Sequence, residues 1–248
     1  DLVNLNHDTV EIGLAGSRLG RTVIELDHVH YEVDGRTIVK DFTYTVLRND
    51  RIGILGANGT GKTTLLNIIA GQLAPTSGTV TIGQTVKIGY FAQRAVDMDE
   101  RLRAIEYVKE AAHFITLADG TRISASQLME RFLFPGDLQW TPIGRLSGGE
   151  KRMAAIATIL AMEPEAVLMD EPTSALDPFN RRLVINTIRG LKQARLIASH
   201  DLDMILDTCG RVILLSGGRI AADGPADVVL RDKALLEANR LELPLSLQ

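Results

Sequence analysis

The segment that most constrains the fold is the glycine-rich stretch at residues 56–63, which reads Gly-Ala-Asn-Gly-Thr-Gly-Lys-Thr. It follows a short apolar run at 51–55 and precedes a helical pattern that we expect to begin at Lys62 and to stop at Gly71. In a strand–loop–helix unit of this kind, called Walker A, the loop N–H groups and the positive end of the helix converge on one anion. The stretch therefore predicts a site for the phosphates of a nucleotide.

The residue types within this loop fit ATP and Mg²⁺. The Lys62 ammonium should reach the β- and γ-phosphates, and the Thr63 hydroxyl should bind Mg²⁺. The alternative is a glycine-rich turn with an unrelated lysine, which would not require a strand before it and a helix after it. The other residues expected to bind ATP here are Gly56, Asn58, Gly59, Thr60, Gly61 and Thr64.

A pair of carboxylates supplies the expected second half of this site. Residues 166–169 are apolar and are followed directly by Asp170 and Glu171. Asp170 would hold Mg²⁺, usually through water, and Glu171 would polarise the attacking water as general base. Two acids at the end of a strand are common by themselves, so this assignment depends on the glycine-rich loop.

Strand and helix patterns alternate through most of the chain. We expect an opening antiparallel hairpin around a turn at Asp34-Gly35, and a mainly helical stretch over 101–134. Strands that alternate with helices predict an α/β fold with a mostly parallel sheet. Capping boxes are expected at 124–127 and at 147–150, the second of which opens a helix that runs through 162. The other strands are expected at 23–29, 37–47, 78–82, 86–91, 166–169 and 195–199. The other helices are expected at 178–191, 202–208 and 225–238.

Composition excludes several classes of protein. Hydrophobic residues make up 45% and charged residues 23% of the 248, which is typical of a soluble globular chain. The single cysteine, Cys209, excludes an intramolecular disulfide framework and favours a reducing, cytoplasmic compartment. No apolar run reaches the roughly 18 residues of a membrane span, so we expect no transmembrane segment of its own. The net charge of −4 gives no support for direct DNA binding.

The motif Leu-Ser-Gly-Gly-Glu at 146–150 carries a family resemblance. With the Walker A loop, it makes the chain after Val23 resemble the ATP-binding cassette (ABC) ATPases. The resemblance implies a P-loop fold of the ABC type, with an N-terminal antiparallel β subdomain and a helical insert that carries the motif. It also implies that Ser147, Gly148 and Gly149 contact ATP bound by a partner, so that two ATPs are sandwiched in a head-to-tail homodimer or against a second ABC cassette.

Four further residues take expected roles from the same resemblance. Gln93 resembles the Q-loop glutamine that contacts Mg²⁺ and the attacking water, and His200 resembles the switch histidine that contacts the γ-phosphate. Asp177 ends a D-loop-like segment and should also cap the helix that follows. Tyr31 lies where the family stacks an aromatic ring on adenine, although an ordinary core or surface tyrosine fits the position nearly as well.

The expected domain organisation is an arm, one cassette and a tail. Residues 1–22 resemble a linker, and residues 23–231 would form the nucleotide-binding domain, with a helical subdomain at about 95–162. Residues 232–248 would form a C-terminal helical tail.

The two halves of the cassette resemble different branches of the family. Up to about residue 145 the chain resembles the second cassette of ABC-F proteins, the translation-associated branch. From about residue 151 it resembles the ATPase subunits of cobalt-, nickel- and vitamin-type importers. The changeover is compatible with a recombinant of two parents, natural or engineered, and also with one divergent family member.

Two hypotheses on function remain open from the sequence. The first is a Mg²⁺-dependent ATPase that cycles between an ATP-clamped dimer and open subunits. The second is an ATP-gated binding switch that acts on a ribosome or on a membrane transporter subunit, through which it would be membrane-associated. A chromosome-maintenance ATPase is excluded, because residues 94–145 are too few for the long coiled coil that such proteins carry.

Overall fold

A computed structural model describes residues 22–92, 98–116, 121–131 and 134–248. The described chain divides into two compact units. Of the described residues, the first unit takes those within 89–164 and 172–191, and the second takes 22–88, 165–171 and 192–248. The predicted arm at 1–22 lies, apart from Thr22, outside the described residues.

The described elements alternate between strand and helix for most of the chain. In order they are β1 (Thr22–Val33), β2 (Arg36–Leu47), β3 (Arg51–Leu55), α1 (Lys62–Ile69), β4 (Ser77–Ile82), β5 (Ile88–Phe91), α2 (Ala104–Ala111), β6 (Phe114–Thr116), β7 (Arg122–Ser124), α3 (Ala125–Arg131), α4 (Gly136–Gln139), α5 (Gly148–Ala161), β8 (Ala166–Asp170), α6 (Pro178–Gly190), β9 (Ala194–Ala198), α7 (Leu202–Thr208), β10 (Arg211–Ser216), β11 (Arg219–Pro225), α8 (Ala226–Val229) and α9 (Lys233–Ala238).

The core of the second unit is a largely parallel sheet with the order β11-β10-β3-β9-β8. Strands β8, β9, β3 and β10 run parallel, and β11 is antiparallel to β10. All residues of β8 and β9 are buried, as expected of largely apolar strands in a covered parallel sheet. The carboxyl ends of β3, β8 and β9 lead directly into the predicted site residues, which is where ligands bind in sheets of this kind.

A separate antiparallel sheet of order β2-β1-β4 forms the N-terminal part of this unit. The predicted hairpin is confirmed, because β1 and β2 pair from Val33 opposite Arg36 around the turn Asp34-Gly35. Both turn residues have positive φ angles, +50° and +72°, as a two-residue turn of type I′ requires. Together the two sheets confirm the predicted α/β class with its antiparallel subdomain.

The expectation of a mainly helical stretch over 101–134 is wrong in its middle. Strands β6 and β7 form an antiparallel hairpin between α2 and α3, with Ile115 opposite Ile123. Both isoleucines are buried, and the Arg122 guanidinium lies 4.8 Å from the centre of the exposed Phe114 ring. Each strand is only three residues long, which is too short for the sequence to show either a strand or a helical period.

The predicted helix starts are confirmed by their caps. Ser124 and Gln127 exchange reciprocal hydrogen bonds before α3, and Ser147 and Glu150 do the same before α5. Asp177 accepts from the first N–H groups of α6. The two short helices expected near the C-terminus are α8 and α9.

The hairpin of β10 and β11 was not predicted. It turns at Gly217 and Gly218, both with positive φ. Within the described ranges, no helix combines the length and the apolar character that a membrane crossing requires.

Candidate functional site

The glycine-rich loop folds into a compact turn at the end of β3. Gly56 and Gly61 have φ angles of +152° and +95°, which L side chains rarely adopt. A methyl group added at Gly56 would lie 2.6 Å from the Leu215 carbonyl oxygen, and one at Gly61 would lie 2.9 Å from that of Ile38. Neighbouring backbone therefore fixes the curl of the loop, and glycine is required at both positions.

The exposed part of the loop opens towards solvent. Asn58 and Gly59 are exposed, and the Thr60 hydroxyl donates to the carbonyl of Ala57 across the turn. Gly61 precedes α1 without any side-chain cap for the first N–H groups, so those groups stay available to an anion. Thr64 lies partly buried in the first turn of α1.

Lys62 is folded back over this loop. Its side chain is 8% exposed, and Nζ donates to the carbonyl oxygens of Gly56 at 2.7 Å and Ala57 at 3.2 Å. Burial lowers the pKa of Lys62, and the neighbouring charges of Glu171 and Asp170 oppose that effect. The ammonium thus rests on backbone oxygens that a phosphate could replace as its partner.

Asp170 is a buried carboxylate with an unused acceptor. The residue is 1% exposed, and its Oδ2 accepts no hydrogen bond from any residue that the structure describes. Burial raises the pKa of Asp170, while a side-chain hydrogen bond from Thr63 lowers it. Mg²⁺ prefers oxygen ligands, and the Asp170 carboxylate and the Thr63 hydroxyl together offer two that lie side by side.

No group of three or more His, Cys, Asp or Glu residues with metal-binding geometry occurs among the described residues. Mg²⁺ at nucleotide sites commonly uses only one or two protein oxygens, with water and phosphate supplying the others. The pair of Asp170 and Thr63 therefore fits the ion in its usual role at such sites.

Glu171 and His200 are brought together at the ends of β8 and β9. Glu171 is 6% exposed and has a φ of +50°, an uncommon and costly backbone conformation for this residue type. Its Oε1 lies 2.9 Å from His200 Nδ1 and accepts from the His200 backbone N–H at 3.1 Å. The two residues predicted to be catalytic are thus in direct contact, with the His200 ring largely exposed.

Ser199 is a contributor that the sequence reasoning missed. Its Oγ donates to Glu171 Oε2 at 2.9 Å and accepts from the Asp201 N–H at 3.1 Å, and the residue is fully buried. The serine was part of the motif read for its histidine, but nothing in the linear pattern indicates that its hydroxyl reaches a carboxylate 28 residues earlier.

Tyr31 lies in β1 opposite Val39 of β2 and is partly exposed. Ile38, the neighbour of Val39, is the residue whose carbonyl lies against Gly61. The antiparallel sheet therefore places Tyr31 on the strand beside the one that contacts the loop. Stacking on adenine stays a prediction.

In the first unit, the two glycines of the signature motif have different surroundings. Ser147 and Gly148 are exposed, and a methyl group added at Gly148 would meet no described atom within 4 Å. Gly149 is buried against Asn180 of α6, and the same methyl group there would lie 2.6 Å from the Asn180 amide. Only Gly148 has the open surface expected of a residue that an anion approaches, whereas Gly149 permits close helix packing.

The D-loop-like segment ends at the exposed Asp177. Its carboxylate accepts from the backbone N–H groups of Phe179 and Asn180 and from the Asn180 side chain. These hydrogen bonds, led by those from Asn180, lower the pKa of Asp177. Gln93, predicted as a Mg²⁺ contact, lies outside the described residues.

Comparison with known families agrees with this arrangement. The family model described as ABC transporter matches residues 39–174, which is more than half of the 248-residue chain. The chain belongs to the ABC transporter family. The predicted resemblance is confirmed, and so is the prediction of an ABC-type ATPase, since this is a family of ATP-hydrolysing cassettes.

Relatives of this ABC ATPase include proteins of two lengths. It is 41% identical over 215 residues to the uncharacterized ABC transporter ATP-binding protein YfmR of Bacillus subtilis, covering 86% of this chain but 34% of that protein. It is 38% identical over 235 residues to the putative ABC transporter ATP-binding protein GSU1281 of Geobacter sulfurreducens, covering 90% and 94%. The energy-dependent translational throttle protein EttA of Mycobacterium tuberculosis is 33% identical over 86% of this chain and 38% of its own length.

The fold of the cassette also agrees with solved structures. A nucleotide-free ATP-binding cassette from an ABC transporter superposes with a TM-score of 0.72 at 20% identity, covering 87% of this chain and 98% of that one. At that identity the likeness concerns the fold alone. The predicted fold of the ABC type is therefore confirmed.

Proposed function

We propose that this cassette is a Mg²⁺-dependent ATPase whose site is formed by the glycine-rich loop, Asp170 and Glu171. The observation that carries the proposal is the orphaned Oδ2 of the buried Asp170 beside Thr63. A buried carboxylate oxygen without a partner is costly unless a ligand satisfies it. The loop, with its uncapped helix end and its folded lysine, supplies the place for phosphate next to it.

In this proposal the loop N–H groups and Lys62 bind the β- and γ-phosphates, with Lys62 leaving the Gly56 and Ala57 carbonyls as it does so. Thr63 and Asp170 hold Mg²⁺, which when bound neutralises phosphate charge and orients the γ-phosphoryl group. Glu171 accepts a proton from the attacking water as general base. The exposed ring of His200, in contact with Glu171, orients that carboxylate and faces the γ-phosphate.

We further propose that the working form is a head-to-tail dimer with two sandwiched ATPs, formed by two copies or with a second ABC cassette. The open surface at Ser147 and Gly148 supports this, since helix α5 begins there with its positive end and leaves room for an anion. A two-fold symmetric arrangement is the simplest closed assembly for one such cassette.

An ATP-gated switch is the second candidate, and one observation favours it. Both Glu171 oxygens accept hydrogen bonds, from Ser199 and from His200. A carboxylate held in this way is not aimed at a water, so hydrolysis would wait for a partner to rearrange the pair. The site of action would be a ribosome, as for a translational throttle protein, or a membrane transporter subunit, and the location cytoplasmic in either case.

The origin of the chain as a recombinant remains part of the proposal. Similar identity, 41% and 38%, to a relative about two and a half times its length and to one of its own length would fit two parents joined near residues 145–151. Residues from the two sides of such a joint pack closely. Gly89 comes before it and Ile159 and Pro164 come after it, and a methyl group added at Gly89 would lie within 3.5 Å of both. Separate comparison of residues 23–145 and 151–231 with the two kinds of relative tests this origin.

The decisive experiment is steady-state ATPase activity with Mg²⁺ against protein concentration, run beside Glu171→Gln. We expect a specific activity that rises with concentration in the parent and falls by about 10²–10⁴ in the variant. Tight ATP binding with flat, negligible turnover of the parent would favour the switch instead. Near-parental turnover by Glu171→Gln would refute the assignment of the base.

A further inference from the structure

Asn180 connects two segments of the first unit that the proposed dimer would present to a partner. It lies in the first turn of α6, and its Nδ2 donates to Asp177 Oδ2 at 2.5 Å. Its backbone N–H donates to the other carboxylate oxygen, Oδ1, at 3.0 Å. Asn180 thus holds both oxygens of the carboxylate that ends the D-loop.

The same side chain is pressed against the start of the signature helix. The Asn180 Cγ and Nδ2 atoms each lie 2.6 Å from where a Cβ on Gly149 would stand, and the Asn180 Cβ lies 3.0 Å from it. A glycine at 149 is therefore what lets helices α5 and α6 approach at this point. One amide side chain contacts the signature turn on one side and the D-loop carboxylate on the other.

The segment before Asp177 needs such an anchor. Ala175 has a φ of +57°, an unfavourable conformation for a residue with a side chain. Backbone held in this region persists only where the surroundings fix it. The bidentate contact of Asp177 with Asn180 is such a fixed point, only two residues along the chain.

We propose that Asn180 is a positioning residue that joins the D-loop and the signature turn into one rigid surface for a second copy of this chain. The inference rests on the proposed head-to-tail dimer. What it adds to that dimer is the role of Asn180, whose side chain couples the position of Asp177 to that of Gly149. The contacts that carry this role are those of Asn180 with Asp177 and Gly149, so its loss should weaken association and leave ATP binding by the free chain unchanged.

The first test measures ATP-driven association by sedimentation, with Glu171→Gln as the parent so that ATP persists. Into this parent we would place Asn180→Asp, which keeps the shape but sets a second carboxylate against Asp177. The matched control is Asn186→Asp, which makes the same charge change at an exposed position of the same helix. A second variant, Asn180→Ala, removes the contact with Gly149 as well.

We expect both Asn180 variants to raise the dimer dissociation constant roughly 10–100-fold, since a two-fold dimer loses the charge-assisted bond twice. The Asn186 control should associate like the parent, and ATP affinity of the free chains should stay the same in all four. Parental association by Asn180→Asp would overturn the inference. If the parent itself does not associate with ATP, the proposed dimer fails, and the coupling is decided by the next measurement alone.

The second test follows amide hydrogen exchange of the nucleotide-free chain by mass spectrometry. If Asn180 couples the two segments, Asn180→Asp should speed exchange in peptides covering both 146–152 and 172–178. The Asn186 control should change neither. Faster exchange in the D-loop peptide alone would refute the coupling, whatever the outcome of the association experiment.

Discussion

The buried charge of Asp170 leads to a prediction in which stability and function change in opposite directions. Its Oδ2 accepts no hydrogen bond from the described residues, and burial raises its pKa above the ordinary 3.8. A carboxyl with a raised pKa in the folded state holds its proton longer there than in the unfolded chain. Stability therefore falls as the pH rises from 3.8 through the raised value, and at neutral pH the charge is a cost.

Asp170→Asn should accordingly stabilise the chain in the absence of nucleotide. The asparagine oxygen can still accept from Thr63, while the uncompensated charge is gone. An unsatisfied buried group costs roughly 1–3 kcal/mol, and since an amide remains at the site we take the lower end, about 1 kcal/mol. For a chain of this size that corresponds to a rise in Tm of about 2–4 °C.

The assay is thermal unfolding in EDTA at neutral pH and again near pH 4, then with Mg²⁺ and ATP. The gain from Asp170→Asn should shrink towards acid pH, where the parent carboxyl is protonated. With saturating ligand the parent should gain about 2.7 kcal/mol at a concentration 100 times Kd, and the variant should lose most of that gain.

The matched control is Asp177→Asn, the same change at an exposed carboxylate. Because hydrogen bonds from Asn180 and Phe179 lower the pKa of Asp177, its charge contributes stability above the ordinary value, and that stability is lost as the pH falls through the lowered pKa. This variant should therefore lower Tm at neutral pH. A lower Tm for Asp170→Asn as well would refute the reasoning that its buried charge is a cost.

Three further predictions concern single side chains. Gly53→Ala should destabilise the chain by about 1–3 kcal/mol in urea unfolding, because its methyl group would lie 2.5 Å from Ile205 Cγ2. Ile205 is fully buried, so Ile205→Ala is itself destabilising, but the double variant should lose less stability than the two single variants added together. Cys209, whose pKa burial raises to about 11, should react with a thiol reagent at pH 8 at least about 100-fold more slowly in the native than in the unfolded chain. Ser199→Ala removes the hydroxyl that holds Glu171, and it should lower kcat on the order of tenfold without changing ATP affinity. Ser199→Thr keeps that hydroxyl and should retain activity. Equal loss of kcat in both variants would contradict the positioning role.

Local patterns made much of this molecule predictable. The loop at 56–63, the carboxylates after β8 and the capping serines Ser124 and Ser147 are each encoded within a few consecutive residues. Such signals report hydrogen bonds and backbone angles that neighbours in sequence make with one another. The helix starts and the order of strand, loop and helix around the loop could therefore be predicted from the sequence.

Contacts between distant segments could not be predicted. One example is the burial of Gly149 against Asn180 of α6, which no pattern around either residue indicates. The hydroxyl of Ser199 meets Glu171 only because β8 and β9 are neighbours in the sheet. The hairpin of β6 and β7 could not be predicted for a different reason. Each of its strands has only three residues, too few to show a repeating pattern in the sequence.

Three costly features of the second unit lie together at one edge of its parallel sheet. Asp170 is buried without a partner for Oδ2, Glu171 has a φ of +50°, and Lys62 is buried on backbone carbonyls. The strands that lead to this edge are fully buried and apolar apart from Arg195 and Asp170, so their burial can offset such local costs. Costly local features are expected to cluster at a binding site, where a ligand can satisfy them. They are not expected at a sheet edge that serves only to hold the fold together. If ATP with Mg²⁺ relieves all three costs, stabilisation of the chain by the ligand should exceed the cost of any one of them. Variants at Asp170 and at Lys62 should each lose part of this stabilisation, and the loss in the double variant should be smaller than the sum of the two single losses.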